Sequence, residues 1–241
     1  MIDIKHVDKN YGGKKKAIDN LNLTIPDGKI TGFLGPNGAG KSTTIKMMTG
    51  VLPLDNGTIT LNGIDIEESP LEAKKIFGYV PDQPDMFLRL KGIDYLNFIG
   101  DIYQVPAPVK KEKIETLTKQ FDIYDALNDY IQTYSHGMRQ KIIVSGVLLH
   151  DPDIWILDEP LTGLDPKSAY ILKEMMRKHA DQGNVVFFSS HGLEVVEQLC
   201  DEVAVINQGN VLFHGTLDQL RETYQTGDSL EKVFLELTND A

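Results

Sequence analysis

The sequence has 241 residues, of which 41% are hydrophobic and 24% charged, enough for one domain, or a domain with a subdomain, around a sizeable core. Its 24 basic and 35 acidic side chains give a formal net charge of −11, which argues against a nucleic-acid partner and against unaided binding to an anionic membrane. The single cysteine, Cys200, excludes an intrachain disulfide and fits a reducing compartment.

Neither a targeting segment nor a membrane-spanning segment is predicted. Residues 1–10 have no apolar core of a signal peptide. No apolar run approaches the ~20 residues that cross a bilayer. If the protein serves a membrane process, we expect other chains to supply the spanning segments.

The first part of the sequence has the alternating pattern of half-buried strands, interrupted by turns. A glycine-rich loop precedes the first helix, which Gly50 ends, and Asn62-Gly63 predicts a hairpin turn. In chain order we predict strands at 2–7, 21–25 and 30–34, a helix at 41–50, a hairpin at 58–66 and a strand at 75–81.

From about residue 86 to 150 the apolar residues follow a helical period, and strands then alternate with helices. Such alternation is typical of a parallel sheet covered on both faces. We therefore predict an α/β fold with a mainly parallel sheet core, an antiparallel β edge subdomain and an α-helical subdomain inserted at about 86–150. The elements predicted after residue 86 are helices at 92–103, 110–121, 138–150, 167–181 and 192–200, strands at 154–158, 185–190 and 202–206, a proline-bearing link at 104–108 and a turn at 207–210.

The segment GPNGAGKS, from Gly35 to Ser42, matches a phosphate-binding loop between a strand and a helix. Its glycines let backbone N–H groups turn inward around phosphate oxygens, and the helix that begins near Lys41 adds the positive end of its dipole. Lys41 would contact the β- and γ-phosphates, and the Ser42 hydroxyl would bind Mg²⁺. The alternative is a glycine-rich turn without a ligand, but the strand before it and the helix after it favour phosphate binding.

Two acids, Asp158 and Glu159, lie at the C-terminal end of the apolar strand IWILD, the first as its last residue and the second directly after it. Ligands of open α/β sheets bind at this end of the strands, and adjacent residues point to opposite sides, so the two acids can have different functions. Asp158 would hold the Mg²⁺ shell, mainly through water, and Glu159 would orient and deprotonate the water that attacks the γ-phosphate. An Asp-Glu pair after a strand is more often a surface turn, but the phosphate loop upstream favours the functional interpretation.

Together with further segments between Tyr11 and about Gly215, these motifs resemble, in order and spacing, those of the ATP-binding cassette (ABC) ATPases. YSHGMRQ, at 134–140, resembles the signature sequence of that family, and GLDP, at 163–166, resembles its dimer-contact loop. The segment that begins SSHG, at 189–192, resembles its switch-histidine region. The resemblance covers most of the chain and implies the fold of a P-loop NTPase.

The resemblance also implies a role for each matching residue. Tyr11 would stack on adenine, and His191 would hydrogen-bond the γ-phosphate. Asp165 would contact a second cassette and could also cap the helix that Pro166 begins. The predicted ATP-binding residues are Tyr11, Gly35, Pro36, Asn37, Gly38, Ala39, Gly40, Lys41, Ser42 and Thr43. The predicted catalytic residues are Glu159, His191 and Gln83, and the predicted Mg²⁺ ligands, partly through water, are Ser42, Asp158 and Gln83.

The signature departs from the family pattern at one position, since the usual double glycine is His136-Gly137 here. Ser135 and Gly137 remain as the groups that would act. Ser135 can present its hydroxyl at the start of a helix at 138–149, where free N–H groups would hold the γ-phosphate of a nucleotide bound by the opposite subunit.

A second departure follows the strand that ends in GYVP. The family usually has glutamine directly after the proline, whereas this sequence has Asp82, with Gln83 one position later. We expect Gln83 to reach the Mg²⁺ and the attacking water, with Asp82 as the alternative.

The resemblance implies the nucleotide-binding subunit of an ABC transporter, with ATP and Mg²⁺ as cofactors and export as the favoured direction. It would act as a homodimer or heterodimer of cassettes, joined to separate membrane-spanning permease subunits on the cytoplasmic side of the membrane. The predicted domain covers 1–225, and 226–241 form a C-terminal helical tail. The alternatives are a soluble regulatory or assembly ATPase and a degenerate cassette, but the intact Lys41, Asp158, Glu159 and His191 argue against degeneracy.

Overall fold

The computed structural model describes residues 1–12, 16–223, 232–234 and 237. The strands are β1 (Ile2–Lys9), β2 (Ile18–Ile25), β3 (Ile30–Leu34), β4 (Asn56–Leu61), β5 (Ile64–Asp65), β6 (Phe77–Val80), β7 (Ile154–Asp158), β8 (Val185–Ser190), β9 (Glu202–Asn207) and β10 (Asn210–Gly215). The α-helices are α1 (Lys41–Met48), α2 (Pro70–Ile76), α3 (Gly92–Ile102), α4 (Ala107–Gln120), α5 (His136–Leu148), α6 (Pro166–Asp181), α7 (Leu193–Leu199) and α8 (Leu217–Thr223).

Within these residues the strands form two sheets. The larger has the order β10-β9-β3-β8-β7-β6, and its neighbours are parallel except β10, which runs antiparallel to β9. The smaller, β2-β1-β4-β5, is antiparallel throughout. The prediction of a mainly parallel core with an antiparallel part is confirmed, and the antiparallel part is a separate sheet.

The parallel sheet is covered on both faces because successive side chains of a strand point to opposite sides. On β7, Trp155 and Leu157 belong to an apolar cluster that includes residues of α3, α5 and α6. Ile154 and Ile156 belong to a second cluster, with residues of the antiparallel sheet and α1. All the residues of β7 are buried, which explains its unbroken apolar sequence.

Helices α3, α4 and α5 lie between β6 and β7 in the chain, in the region predicted to be helical. The predicted end of the link between α3 and α4 is wrong. The link predicted at 104–108 ends earlier, because Ala107 and Pro108 form the first turn of α4, where the missing N–H of proline is tolerated. Helix α2 was not predicted, and it includes Lys75 and Ile76, which were expected to begin a strand.

The boundary between a domain at 1–225 and a tail at 226–241 stays a prediction, since most of the tail lies outside the described residues. Val233 and Leu237, which are described, are buried in the same apolar cluster as Trp155. In the described part of the chain no helix combines the length and the apolar character needed to cross a membrane.

Candidate functional site

The candidate site lies where the carboxyl ends of β3, β7 and β8 meet. Parallel pairing places Leu34 opposite Ser190 and Asp158 opposite Ser189, so the segments that follow these strands leave the same edge of the sheet. The segments after β3 and β7, together with Ala17 and Asp82, line a cleft with a volume of about 240 Å³. Its lining residues are Ala17, Pro36, Asn37, Gly38, Gly40, Lys41, Ser42, Thr43, Asp82, Asp158 and Glu159.

The predicted phosphate loop joins β3 to α1 and provides most of this lining. Gly40, directly before α1, has a φ of 115°, and a Cβ there would lie 2.6 Å from Ile18 Cδ1. Both the backbone conformation and the available space therefore require glycine. Two predicted loop residues, Gly35 and Ala39, are not among the lining residues. The Ala39 N–H donates to the Pro36 carbonyl at 3.1 Å, which closes the loop from behind.

The Lys41 side chain is held inside the loop. Its ammonium group donates to the carbonyl oxygens of Gly35 at 2.6 Å and Pro36 at 3.3 Å. Burial lowers the pKa of Lys41, while the negative charges of Glu159 and Asp158 raise it. The site thus combines a buried cation, loop N–H groups and two acids, as the binding of a phosphate chain with a metal ion requires.

Tyr11 lies at the border of this loop. Its ring is 63% exposed, and its hydroxyl is 3.5 Å from the Thr43 hydroxyl, at the outer limit for a hydrogen bond. An exposed ring next to the loop is available for stacking on a base, so the adenine contact of Tyr11 stays a prediction with compatible geometry.

The two acids have different environments. Asp158 is only 3% exposed and accepts a hydrogen bond from the Ser189 hydroxyl at 2.6 Å. Glu159 has a left-handed backbone with a φ of 48°, and its N–H donates to the same hydroxyl at 3.0 Å. Ser189 was not among the predicted site residues, because its contact with Asp158 depends on the register of two strands.

His191 contacts the predicted general base directly. Its Nδ1 lies 2.9 Å from Glu159 Oε2 and its ring is largely exposed, although His191 lines a neighbouring hollow with Glu159 and not the cleft itself. A histidine N–H that donates to this carboxylate orients it and leaves the other ring nitrogen available for a second partner. The structure therefore brings together the two residues predicted to act on the γ-phosphate.

The structure separates Asp82 from Gln83. Both residues are exposed, but Asp82 lines the cleft together with Asp158, whereas Gln83 is not among the lining residues. Burial raises the pKa of Tyr79 to about 12, with smaller contributions from the negative charges of Asp158 and Asp82. The arrangement favours Asp82 over Gln83 for the position that the family usually fills with glutamine.

The three predicted signature residues lie outside this cleft, at the start of α5. Ser135 caps the helix, and its hydroxyl accepts the Met138 N–H at 3.2 Å. The helix begins at His136, two residues earlier than predicted. Gly163, with a φ of 77°, packs so closely on the His136 ring that a Cβ there would overlap it. The signature segment and the loop before α6 are therefore in direct contact.

Asp165 caps α6, as the sequence allowed. Its carboxylate accepts the N–H of Ser168 at 2.9 Å and the hydroxyl of Ser168 at 2.8 Å. It also pairs with Lys141 of α5 at 2.7 Å, and Lys141 makes the largest contribution to lowering the pKa of Asp165. This ion pair provides a second connection between the signature helix and the loop before α6.

These features define a P-loop nucleoside triphosphatase: a glycine-rich loop with a buried lysine joins a strand to a helix, and two acids stand at the end of the next strand but one. The ABC transporter family model matches residues 18–162, and the chain belongs to this family of ATP-binding cassette ATPases. The predictions of fold, family and ATPase activity are thereby confirmed.

Two curated relatives and one solved structure show the extent of the similarity. ABC transporter ATP-binding protein NatA of Bacillus subtilis (strain 168) is 35% identical over 239 residues, 98% of this chain and 97% of NatA. Linearmycin resistance ATP-binding protein LnrL of the same organism is 33% identical over 241 residues, all of this chain and 77% of LnrL. A structure described as the ATP binding subunit of an ABC transporter matches with a TM-score of 0.93 and 28% identity, covering 98% of this chain and 99% of that chain.

Proposed function

We propose that this ATP-binding subunit of an ABC transporter works as a head-to-tail pair of cassettes that drives separate membrane-spanning subunits, in the export direction. The observation that carries the proposal is the position of Ser135 and Gly137. They are placed at the N-terminus of a helix, where N–H groups and the helix dipole favour an anion, yet they do not line the cleft of their own chain. A nucleotide held by a second cassette supplies that anion.

The residues of the cleft fit Mg²⁺. Ser42, Asp158 and Asp82 offer hard oxygen atoms around one space. Among the described residues no group of three or more His, Cys, Asp or Glu side chains could hold a metal alone. This fits an ion that binds through one or two carboxylates, water and the phosphates of the nucleotide, and that neutralises charge on the phosphates.

The side chains then have separate tasks during hydrolysis. Lys41 and the loop N–H groups bind the phosphates. Glu159 takes a proton from the attacking water, and His191 holds the Glu159 carboxylate in place through the 2.9 Å contact. Closure of two cassettes over ATP can do work only because nucleotide binds the closed pair more tightly than the open one.

A membrane partner fits an exposed apolar patch formed by Met86, Phe87, Phe98 and Ile102. Phe98 and Ile102 are 45% and 55% exposed on α3, and the Phe87 ring lies 5.9 Å from that of Phe98. The patch adjoins Asp85, which pairs with Arg139 of the signature helix at 2.5 Å. We place the permease contact here, on the cytoplasmic side of the membrane, and the name of LnrL as a resistance protein supports export.

Two defective variants are expected to complement each other if nucleotide is shared between cassettes. Lys41→Ala damages the phosphate loop, and Ser135→Ala removes one donor to the γ-phosphate, which should slow turnover about 10²-fold. In a mixed dimer one site combines the intact loop of one chain with the intact signature of the other. ATPase activity should therefore return, to at most about half of the wild-type rate, because each mixed dimer has one intact site of two.

The mixture is purified through two different affinity tags, so that only mixed dimers are assayed. No recovery of activity in such dimers would contradict the shared site. Nucleotide binding to the monomeric Ser135→Ala variant should equal that of the wild type, since Ser135 lies outside the chain's own cleft.

The apolar patch predicts a second result. Phe98→Asp should abolish co-purification of a multi-spanning protein from a mild detergent extract, because a charge cannot be buried in an apolar contact without a partner. Leu71→Asp, which places the same charge at an exposed apolar position on α2, should retain it. If the wild-type chain instead purifies with a soluble partner only, the assembly-ATPase alternative replaces the transporter.

A further inference from the structure

Ser189 lies between the two acids of the ATPase site. It is fully buried near the end of β8, and parallel pairing places it directly opposite Asp158 on β7. Neither the phosphate loop nor the signature contacts account for a buried hydroxyl at this position. Buried polar groups require partners, and Ser189 finds both of its own within the catalytic site.

The Ser189 hydroxyl makes one hydrogen bond to each of the two acidic residues, through its proton in one case and through a lone pair in the other. It donates to Asp158 Oδ1 at 2.6 Å, the short distance of a hydrogen bond to an ionised carboxylate. It accepts the N–H of Glu159 at 3.0 Å. Because a backbone N–H can only donate, the hydroxyl must accept from Glu159, and its single proton is free to go to Asp158.

The second bond holds an unusual backbone. Glu159 has a φ of 48°, a left-handed conformation that is costly for residues other than glycine and that persists only where the surroundings enforce it. Through this conformation the chain turns at the strand end so that Glu159 Oε2 reaches His191. The Ser189 hydroxyl is hydrogen-bonded to Glu159, the residue at which this turn occurs.

We propose that Ser189 is a positioning residue of the ATPase reaction, whose hydroxyl sets the orientation of the Asp158 carboxylate and the backbone of Glu159. The inference rests on the proposed roles of these two acids and deepens them. Groups that orient metal-binding carboxylates in this way typically contribute 10- to 100-fold to metal affinity or activity. A hydroxyl that served only the packing of β8 would contribute to stability alone.

The test compares variants that keep or remove the hydroxyl. In Ser189→Ala we expect a loss of about 10- to 100-fold either in the affinity for Mn²⁺ or in kcat. The Mn²⁺ affinity is measured by electron paramagnetic resonance in the presence of ADP. The KM for ATP should change little, since Lys41 and the loop are intact. Ser189→Thr keeps the hydroxyl on a strand that favours branched side chains and should restore both values. Ser189→Cys keeps the volume but has only a weak donor, so it should behave like Ser189→Ala even if the threonine variant does not fold.

Thr31→Val is the matched control. The Thr31 hydroxyl is also fully buried, on neighbouring β3, and has no hydrogen-bond partner within the described residues. Its removal should leave Mn²⁺ affinity and kcat at wild-type values. Wild-type Mn²⁺ affinity and kcat in Ser189→Ala, or losses that equal those of Thr31→Val, would overturn the proposal. Absence of metal-dependent hydrolysis in the wild-type chain would instead contradict the proposed function, and the Mn²⁺ measurement would still decide the role of Ser189.

Discussion

Replacing Glu159 with glutamine is expected to stop ATP turnover while nucleotide binding persists. Glutamine has the size of glutamate but cannot accept a proton from the attacking water, so kcat should fall by about 10²- to 10⁴-fold. The amide keeps the same volume beside His191, and Lys41 still binds the phosphates. ATP should therefore remain trapped between two cassettes.

Two measurements check this result. Phosphate release gives kcat, and size-exclusion chromatography with saturating MgATP shows whether the variant forms a stable dimer. Glu174→Gln is the control, since it makes the same chemical change at an exposed position of α6. Unchanged hydrolysis would refute the role of Glu159, and a variant that stays monomeric with MgATP and its natural partner chains would refute the head-to-tail pair.

Replacing Lys41 with alanine is expected to weaken nucleotide binding itself. The Lys41 ammonium lies against the loop carbonyls, and its loss removes a positive charge that offsets the negative charges of Asp158 and Glu159 near the phosphates. Loss of hydrogen bonds to a charged group corresponds to ~1.5–3 kcal/mol, or roughly a 10- to 150-fold rise in the Kd for ATP.

Isothermal titration calorimetry with a non-hydrolysable ATP analogue measures this Kd. Lys46→Ala removes the same type of side chain from an exposed position of the same helix and should bind with wild-type affinity. Circular dichroism confirms that both variants are folded. Equal affinities for the wild type and Lys41→Ala would show that Lys41 does not contact the phosphates.

The parts of the site that depend on local sequence were predictable. The phosphate loop requires glycines and a lysine in a fixed order, so its position between β3 and α1 follows from a few adjacent residues. Strand β7 was also predicted with its observed limits, because a strand buried on both faces has an unbroken apolar sequence.

Contacts between distant residues were not predictable in the same way. Ser189 meets Asp158 only because β7 and β8 pair in one particular register, which no short pattern specifies. The choice between Asp82 and Gln83 depends on the backbone directions after β6, and a shift of one residue exchanges the side that each side chain faces. Helix α2 is short and mostly exposed, so it lacks the long apolar period that identifies a helix from sequence.

Helix α5 connects two ends of the molecule. Its 13 residues make a rod about 20 Å long, which Ser135 caps at one end. Just beyond the other end, the His150 ring stacks at 3.6 Å on Tyr103, directly after α3. In the proposed head-to-tail pair, we therefore expect a displacement of the first end by the neighbouring cassette to reach α3 and the apolar side chains that α3 exposes.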